Sequence, residues 1–315
     1  MNSLLIWGLF LFIVVSLLII DLGIFNKKDH EIGVKESLWM SAFYILVGLL
    51  FSIWIWYSMG LESWSEYLTG FLIEKTLAID NIFVISLVFS SLSVPPKYQH
   101  RVLFWGIIAV IILRAIMIIG GAELVNHFEW ILYLFAIFMI FTGIKMFFVP
   151  DHQIDIKNNP VLKWMRNHLP ITEELHGKKF LVRLSEKSGK MKFFMTPLLV
   201  ALIFIEFVDI VFAVDSVPAI FTITTNTYIV YTSNIFAILG LRSLYFCLSA
   251  VINRFYYLKF SLALVLIFIG LKIFIADLMG IEKFPSAISL GVTFILLIGG
   301  CVYSLYRTKT DSTPL

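Results

Sequence analysis

Twice in this chain a carboxylate is followed six residues later by an aspartate, inside a run apolar enough to cross a lipid bilayer. The first copy reads Glu74-Lys75-Thr76-Leu77-Ala78-Ile79-Asp80-Asn81-Ile82, the second Asp209-Ile210-Val211-Phe212-Ala213-Val214-Asp215-Ser216-Val217. In both, Ala stands two positions before the aspartate and a small polar residue directly after it, and Glu206 adds an acid just ahead of the second copy. A charge at the centre of a membrane helix costs roughly 2.5–3.5 kcal/mol, so five uncompensated acids would cost about 12–17 kcal/mol. That is comparable with the whole net stability of a typical domain. Carboxylates kept at such a cost are expected to hold a cation, and the fold must bring them together.

The apolar runs set the fold class. About 20 apolar residues cross the hydrocarbon as a helix, and nine such spans are expected at 4–24, 38–60, 68–93, 102–121, 130–149, 194–220, 231–252, 258–278 and 286–306. Of the 315 residues, 60% are hydrophobic and 14% charged, where soluble domains carry about 25% charged. The chain therefore reads as an all-α polytopic membrane protein. The first run lacks a basic leader and a small-residue cleavage site, and it reads as a retained span rather than a signal peptide. Cys247 and Cys301 both lie in apolar runs and define no disulfide framework or metal motif.

Orientation follows from the loops. Eighteen Lys and Arg residues fall in the loops on one side and the tail, against Lys283 alone on the other. By the positive-inside rule the amino terminus lies outside and the carboxyl terminus in the cytoplasm. The net charge of +3 is thus a matter of topology, and no nucleic-acid partner is expected. The basic 151–193 segment reads as a cytoplasmic linker with a short amphipathic helix near Val161–His168, a lipid-contacting role being the sharper alternative.

The chain also carries an internal duplication. After each acidic pattern comes an intramembrane arginine, Leu113-Arg114-Ala115 and Leu241-Arg242-Ser243, and then Thr142-Gly143-Ile144-Lys145-Met146-Phe147 and Ile269-Gly270-Leu271-Lys272-Ile273-Phe274. Each unit crosses three times, so the two are inverted copies, an arrangement that places transporter sites near the midplane. The expected division is two N-terminal helices (1–60), a first three-helix repeat (61–150), the cytoplasmic loop (151–193), a second repeat (194–279), and a last helix with its tail (280–315).

On an unbroken helix a step of six residues separates Glu74 from Asp80 by about 120°. Either both flank a wide inward arc or the helix opens near them. Pro218 lacks an amide hydrogen, which frees the Val214 carbonyl beside Asp215 and Ser216. The candidate ligands are then Glu74, Asp80, Asn81, Glu206, Asp209, Asp215, Ser216 and the Val214 backbone carbonyl. An all-oxygen set suits hard divalent cations, and the six histidines read as loop residues without zinc spacing. Lys75, Arg114 and Arg242 are the expected charge partners. Three bases cannot pair five acids, so the remaining carboxylates are protonated or hold an ion. The arginines would close the site or take the place of the departing ion.

At Glu74 through Asn81, at Glu206-Phe207-Val208-Asp209 and on through Ile220, and at Ser233 through Phe246, the chain resembles the TerC family of integral membrane proteins, named for tellurite resistance. The resemblance covers nearly the full length. It implies an exporter of Mn²⁺ in the cytoplasmic (inner) membrane of a bacterium, with Mn²⁺ as the transported ion. The family's acidic motif residues fall on Glu74, Asp80, Glu206, Asp209 and Asp215. The leading expectation is alternating access with protons as counter-ion, and no enzyme activity. The alternatives are transport of another divalent cation such as Ca²⁺, an intramembrane aspartyl enzyme, and a non-transporting membrane partner in metal or tellurite stress.

Overall fold

The computed structural model describes residues 3–21, 33–128, 130–148, 169–172, 174–185, 191–248, 258–281 and 284–311. The chain is a predominantly helical, polytopic membrane protein. Its backbone polar groups are satisfied within helices, as lipid requires, and side chains such as Phe12, Trp39, Tyr57 and Phe148 stand exposed on its outside, where bilayer is the solvent.

The helices in order are α1 (Ser3–Ile20), α2 (Val34–Ser91), α3 (Pro96–His127), α4 (Ile131–Phe148), α5 (Pro197–Phe221), α6 (Thr227–Leu239), α7 (Leu241–Leu248), α8 (Leu258–Leu278) and α9 (Ser286–Asp311). Six among the described residues are long and apolar enough to cross a membrane, seven if α6 and α7 form one bent span. The expected runs 38–60 and 68–93 fall together in α2, whose helical path is interrupted at Gly60 with φ 91° and ψ 177°, the left-handed region open to glycine. The chain folds back there. The Tyr67 hydroxyl donates to the Gly48 carbonyl at 3.1 Å, and Phe51 meets Tyr67 with ring centroids 5.8 Å apart. A straight helix would hold Gly48 and Tyr67 about 28 Å apart.

α6 and α7 meet at Gly240 with a bend of 40°. A Cβ at Gly240 would lie 2.8 Å from the Lys75 ammonium and 3.0 Å from the Tyr44 Cβ, so the break is also a point of close approach. α4 and α8 pack through two glycines. A Cβ at Gly143 would lie 2.6 Å from the Ala263 carbonyl oxygen, and one at Gly270 would lie 2.5 Å from that of Ala136. The contact is reciprocal, each glycine meeting the other helix seven residues before its own glycine.

α2 packs on α5, α6 and α7, and α3 packs on α5. One apolar cluster joins Ile82, Ile85 and Phe89 of α2 to Leu198, Ala201 and Phe204 of α5. Another joins Ile118 and Val125 of α3 to Val217 and Phe221 of α5. The site lies between these two clusters.

The polar segment before α5 differs from the expected linker. It holds an antiparallel hairpin of β1 (Leu181–Ser185) and β2 (Met191–Met195), with Val182 opposite Phe194. Ile171 bridges to Met195. The β hairpin ends one residue before Thr196, the N-cap of α5, so α5 starts at Pro197 rather than at 194. Proline suits a first helical position. The amphipathic helix expected at Val161–His168 lies outside the described residues.

Candidate functional site

Glu74 and Asn81 are seven residues apart on α2, as Asp209 and Ser216 are on α5. Seven residues turn a helix through about 700°, nearly two full turns, so each pair shares one face. The two faces meet head to tail. Asn81 donates from Nδ2 to Asp209 Oδ1 at 3.4 Å, and Ser216 Oγ and Glu74 Oε1 meet at one nitrogen, Arg114 Nη1. The first acid of each pattern thus meets the small polar residue that closes the other.

Arg114 of α3 fills the centre with its side chain 1% exposed, its Nη1 3.0 Å from Glu74 Oε1. The same nitrogen donates to Ser216 Oγ at 2.5 Å. On its other side Nε lies 3.4 Å from Asp209 Oδ2 and Nη2 donates to Asp209 Oδ1 at 3.5 Å. A planar guanidinium with five donors can bridge two carboxylates and a hydroxyl at once. A buried pair of this kind is hard to break one-sidedly, because the partner left behind is an uncompensated charge.

The polar groups outnumber their partners. Among the described residues, Glu74 Oε2, Asn81 Oδ1 and both carboxylate oxygens of Glu206 are buried without a hydrogen-bond partner. Glu206, Asp209, Asn81 and Arg242 line a cavity of about 30 Å³ otherwise walled by apolar side chains and Gly106, room for one water or one small ion. A Cβ at Gly106 would lie 3.1 Å from Glu206 Oε1, so the glycine makes space for that carboxylate. Buried polar atoms are satisfied as a rule, so this concentration among the described residues singles the place out.

The other expected charge partners bond elsewhere, although Arg242 also borders the small cavity. Arg242 of α7 pairs through Nη2 with Asp21, just after α1, while its Nη1 has no partner. Asp21 also takes a hydrogen bond from Tyr44. Asp21 was not among the expected site residues, although it falls inside the first apolar run and so carried the same signal as the others. Lys75 pairs with no acid among the described residues. Its ammonium donates to the Ala237 carbonyl at 2.6 Å, close to the C-terminus of α6, where a cation is favoured by the helix dipole.

The side chains of Asp80, Asp215 and Val214 lie outside the described residues. Among the described residues no group of three or more His, Cys, Asp or Glu is placed to hold a metal ion. The carboxylates that come together, Glu74 and Asp209, share an arginine instead. α5 runs as helix through Pro218, so the opening expected there is absent, and the break occurs at Gly240. The histidines do not all lie in loops: His100 is in the first turns of α3 and buried.

Comparison with known proteins places the chain among bacterial membrane proteins. The family described as "Integral membrane protein TerC family" matches residues 59–312. A Rickettsia bellii protein called "Uncharacterized membrane protein" is 50% identical over 301 residues, 96% of this chain and 97% of its own. A Myxococcus xanthus protein, "Uncharacterized membrane protein STKORF319", is 42% identical over 98% of this chain and 94% of its own. An Escherichia coli K12 protein named "Putative membrane-bound redox modulator Alx" is 43% identical over 93% of this chain and 92% of its own. No solved structure gives a significant match.

Proposed function

The chain belongs to the TerC family of integral membrane proteins, and on that premise we propose that it exports a divalent cation, Mn²⁺ first, from the cytoplasm across the bacterial inner membrane. The observation that carries this reading is the shared buried site. Glu74 from α2 and Asp209 and Ser216 from α5 converge on one guanidinium, with Asn81 of α2 bonded to Asp209, and the Glu206 carboxylate, without a hydrogen-bond partner among the described residues, lies beside a small cavity. Asp80 and Asp215 stand one residue before Asn81 and Ser216 in the sequence, and carboxylates of this kind suit a hard cation. In this arrangement Arg114 stands where the ion would be, and metal and guanidinium alternate between the same carboxylates.

The proposal takes the two acidic units as inverted repeats within nine spans, α2 counting as two and α1 and the α6–α7 pair as one each. The head-to-tail juxtaposition of Glu74 with Ser216, at Arg114, and of Asp209 with Asn81 supports that reading, as does the reciprocal packing of Gly143 and Gly270. The amino terminus lies outside, by the loop charges, and protons serve as counter-ion.

The test is Mn²⁺ flux in liposomes carrying the purified protein, with and without a pH gradient. Flux is expected, dependent on the gradient, and abolished by Asp80→Asn combined with Asp215→Asn. Flux unchanged in that double variant would remove these carboxylates from the path. Competition by Mg²⁺ and Ca²⁺ in the same assay measures selectivity, Mn²⁺ being expected to win.

A further inference from the structure

A second, larger cavity of about 590 Å³ lies where α3 and α5 end and α9 begins. Its polar lining comes from Thr69, Asn126, Thr222, Thr225, Asp277 and Ser286. These are oxygen donors of the kind that exchange with the water shell of a hard cation. Lys272 at its wall donates to Ser289 at 3.4 Å. The loops around it are those expected outside the cell.

Phe221 forms part of the floor of this vestibule, next to the buried Ile220. Phe221, 1% exposed, lines the vestibule and packs inward with Ile118, Val125 and Val217. A Cβ at Gly121 would lie 2.6 Å from the Phe221 ring, so the glycine is the socket that receives it. The barrier is thin on this side. Thr69 is five residues from Glu74 and Thr222 six from Ser216, about 8–9 Å of helix. On the other side α2 continues ten residues beyond Asn81 and α5 begins twelve before Asp209, about 15–18 Å, sealed by the Ile82–Phe204 cluster.

We propose that this vestibule is the outer mouth of the ion path, taking up a hydrated divalent cation, and that Phe221 seated on Gly121 is its gate. The inference rests on the exporter reading and adds the route and the residue that controls it. Gate opening needs only the ring to leave its socket, whereas opening toward the cytoplasm needs α2 and α5 to part.

Cysteine accessibility tests this without relying on transport. In a Cys247→Ser, Cys301→Ser background, Thr225→Cys is expected to react with a membrane-impermeant thiol reagent from the outer face of vesicles. Val217→Cys, one turn deeper on α5, is expected to be protected. Adding Phe221→Ala should raise its labelling from the outer face by about tenfold or more, since a minor open state becomes the major one. Phe221→Leu gives the same reading with a smaller rise and serves if the alanine variant does not accumulate. Labelling of Thr225→Cys only from the cytoplasmic face, or continued protection of Val217→Cys in the gate variant, overturns the proposal. A gate that opens in vesicles without Mn²⁺ flux would leave it standing and remove the exporter reading instead.

Discussion

At the scale of single residues, the site sets one shared guanidinium against one carboxylate with nothing to bond. Arg114→Gln strands Glu74 and Asp209, and removing one member of a buried pair costs about 3–5 kcal/mol. Thermal unfolding in detergent should show that loss. Added Mn²⁺ should restore more stability to the variant than to the parent, because a ligand that binds the folded state raises its stability by mass action. Glu206→Gln is the opposite case. It removes a buried charge without a partner, so the variant should melt no lower than the parent while its Mn²⁺ affinity falls. Asp21→Asn leaves the Arg242 guanidinium without its carboxylate and should destabilise by a similar few kcal/mol. The acids and arginines were legible because each interrupts an apolar run. Which base meets which acid was not, since pairing depends on helix rotation and on contacts such as Asp21 with Arg242, 221 positions apart.

At the scale of elements, the helical path breaks among the described residues at Gly60 and Gly240 rather than at the proline that sequence favoured. Pro218 sits late in α5, and the helix carries through it with one carbonyl short of a donor. Gly60 instead takes a backbone conformation that other residues adopt only under strain. The apolar pattern gave the α2 arms but not the tightness of the turn joining them. The hairpin before α5 was missed because 181–195 is short and basic, and loop charge dominated the reading. The α4–α8 contact makes a reciprocal expectation. Gly143→Ala and Gly270→Ala each drive a methyl into a backbone carbonyl and should each cost about 1–3 kcal/mol, the range for overpacking. Equal losses in detergent unfolding would match the symmetric contact, and a loss at one position alone would break it.

At the scale of the whole molecule, the membrane class was evident in hydropathy alone, and loop charge carried the proposed orientation. What hydropathy could not supply was depth: how far each face of the site lies from water. The shallow side ends at a hydroxyl-lined basin and the deep side at tightly interleaved aliphatic and aromatic side chains, so traffic through the two faces differs in how much of the protein must move. Arg114 has a consequence of its own at this scale. A positive group anchored on α3 cannot drift off into solvent as a free ion does. In the proposed export cycle, an ion that takes the place of Arg114 between Glu74 and Asp209 requires α3 to shift against α2 and α5, and the emptied site keeps a cation between these acids. In that proposed cycle loading and helix movement are interlocked, and the return stroke carries a built-in counter-charge that offsets one of the two carboxylates.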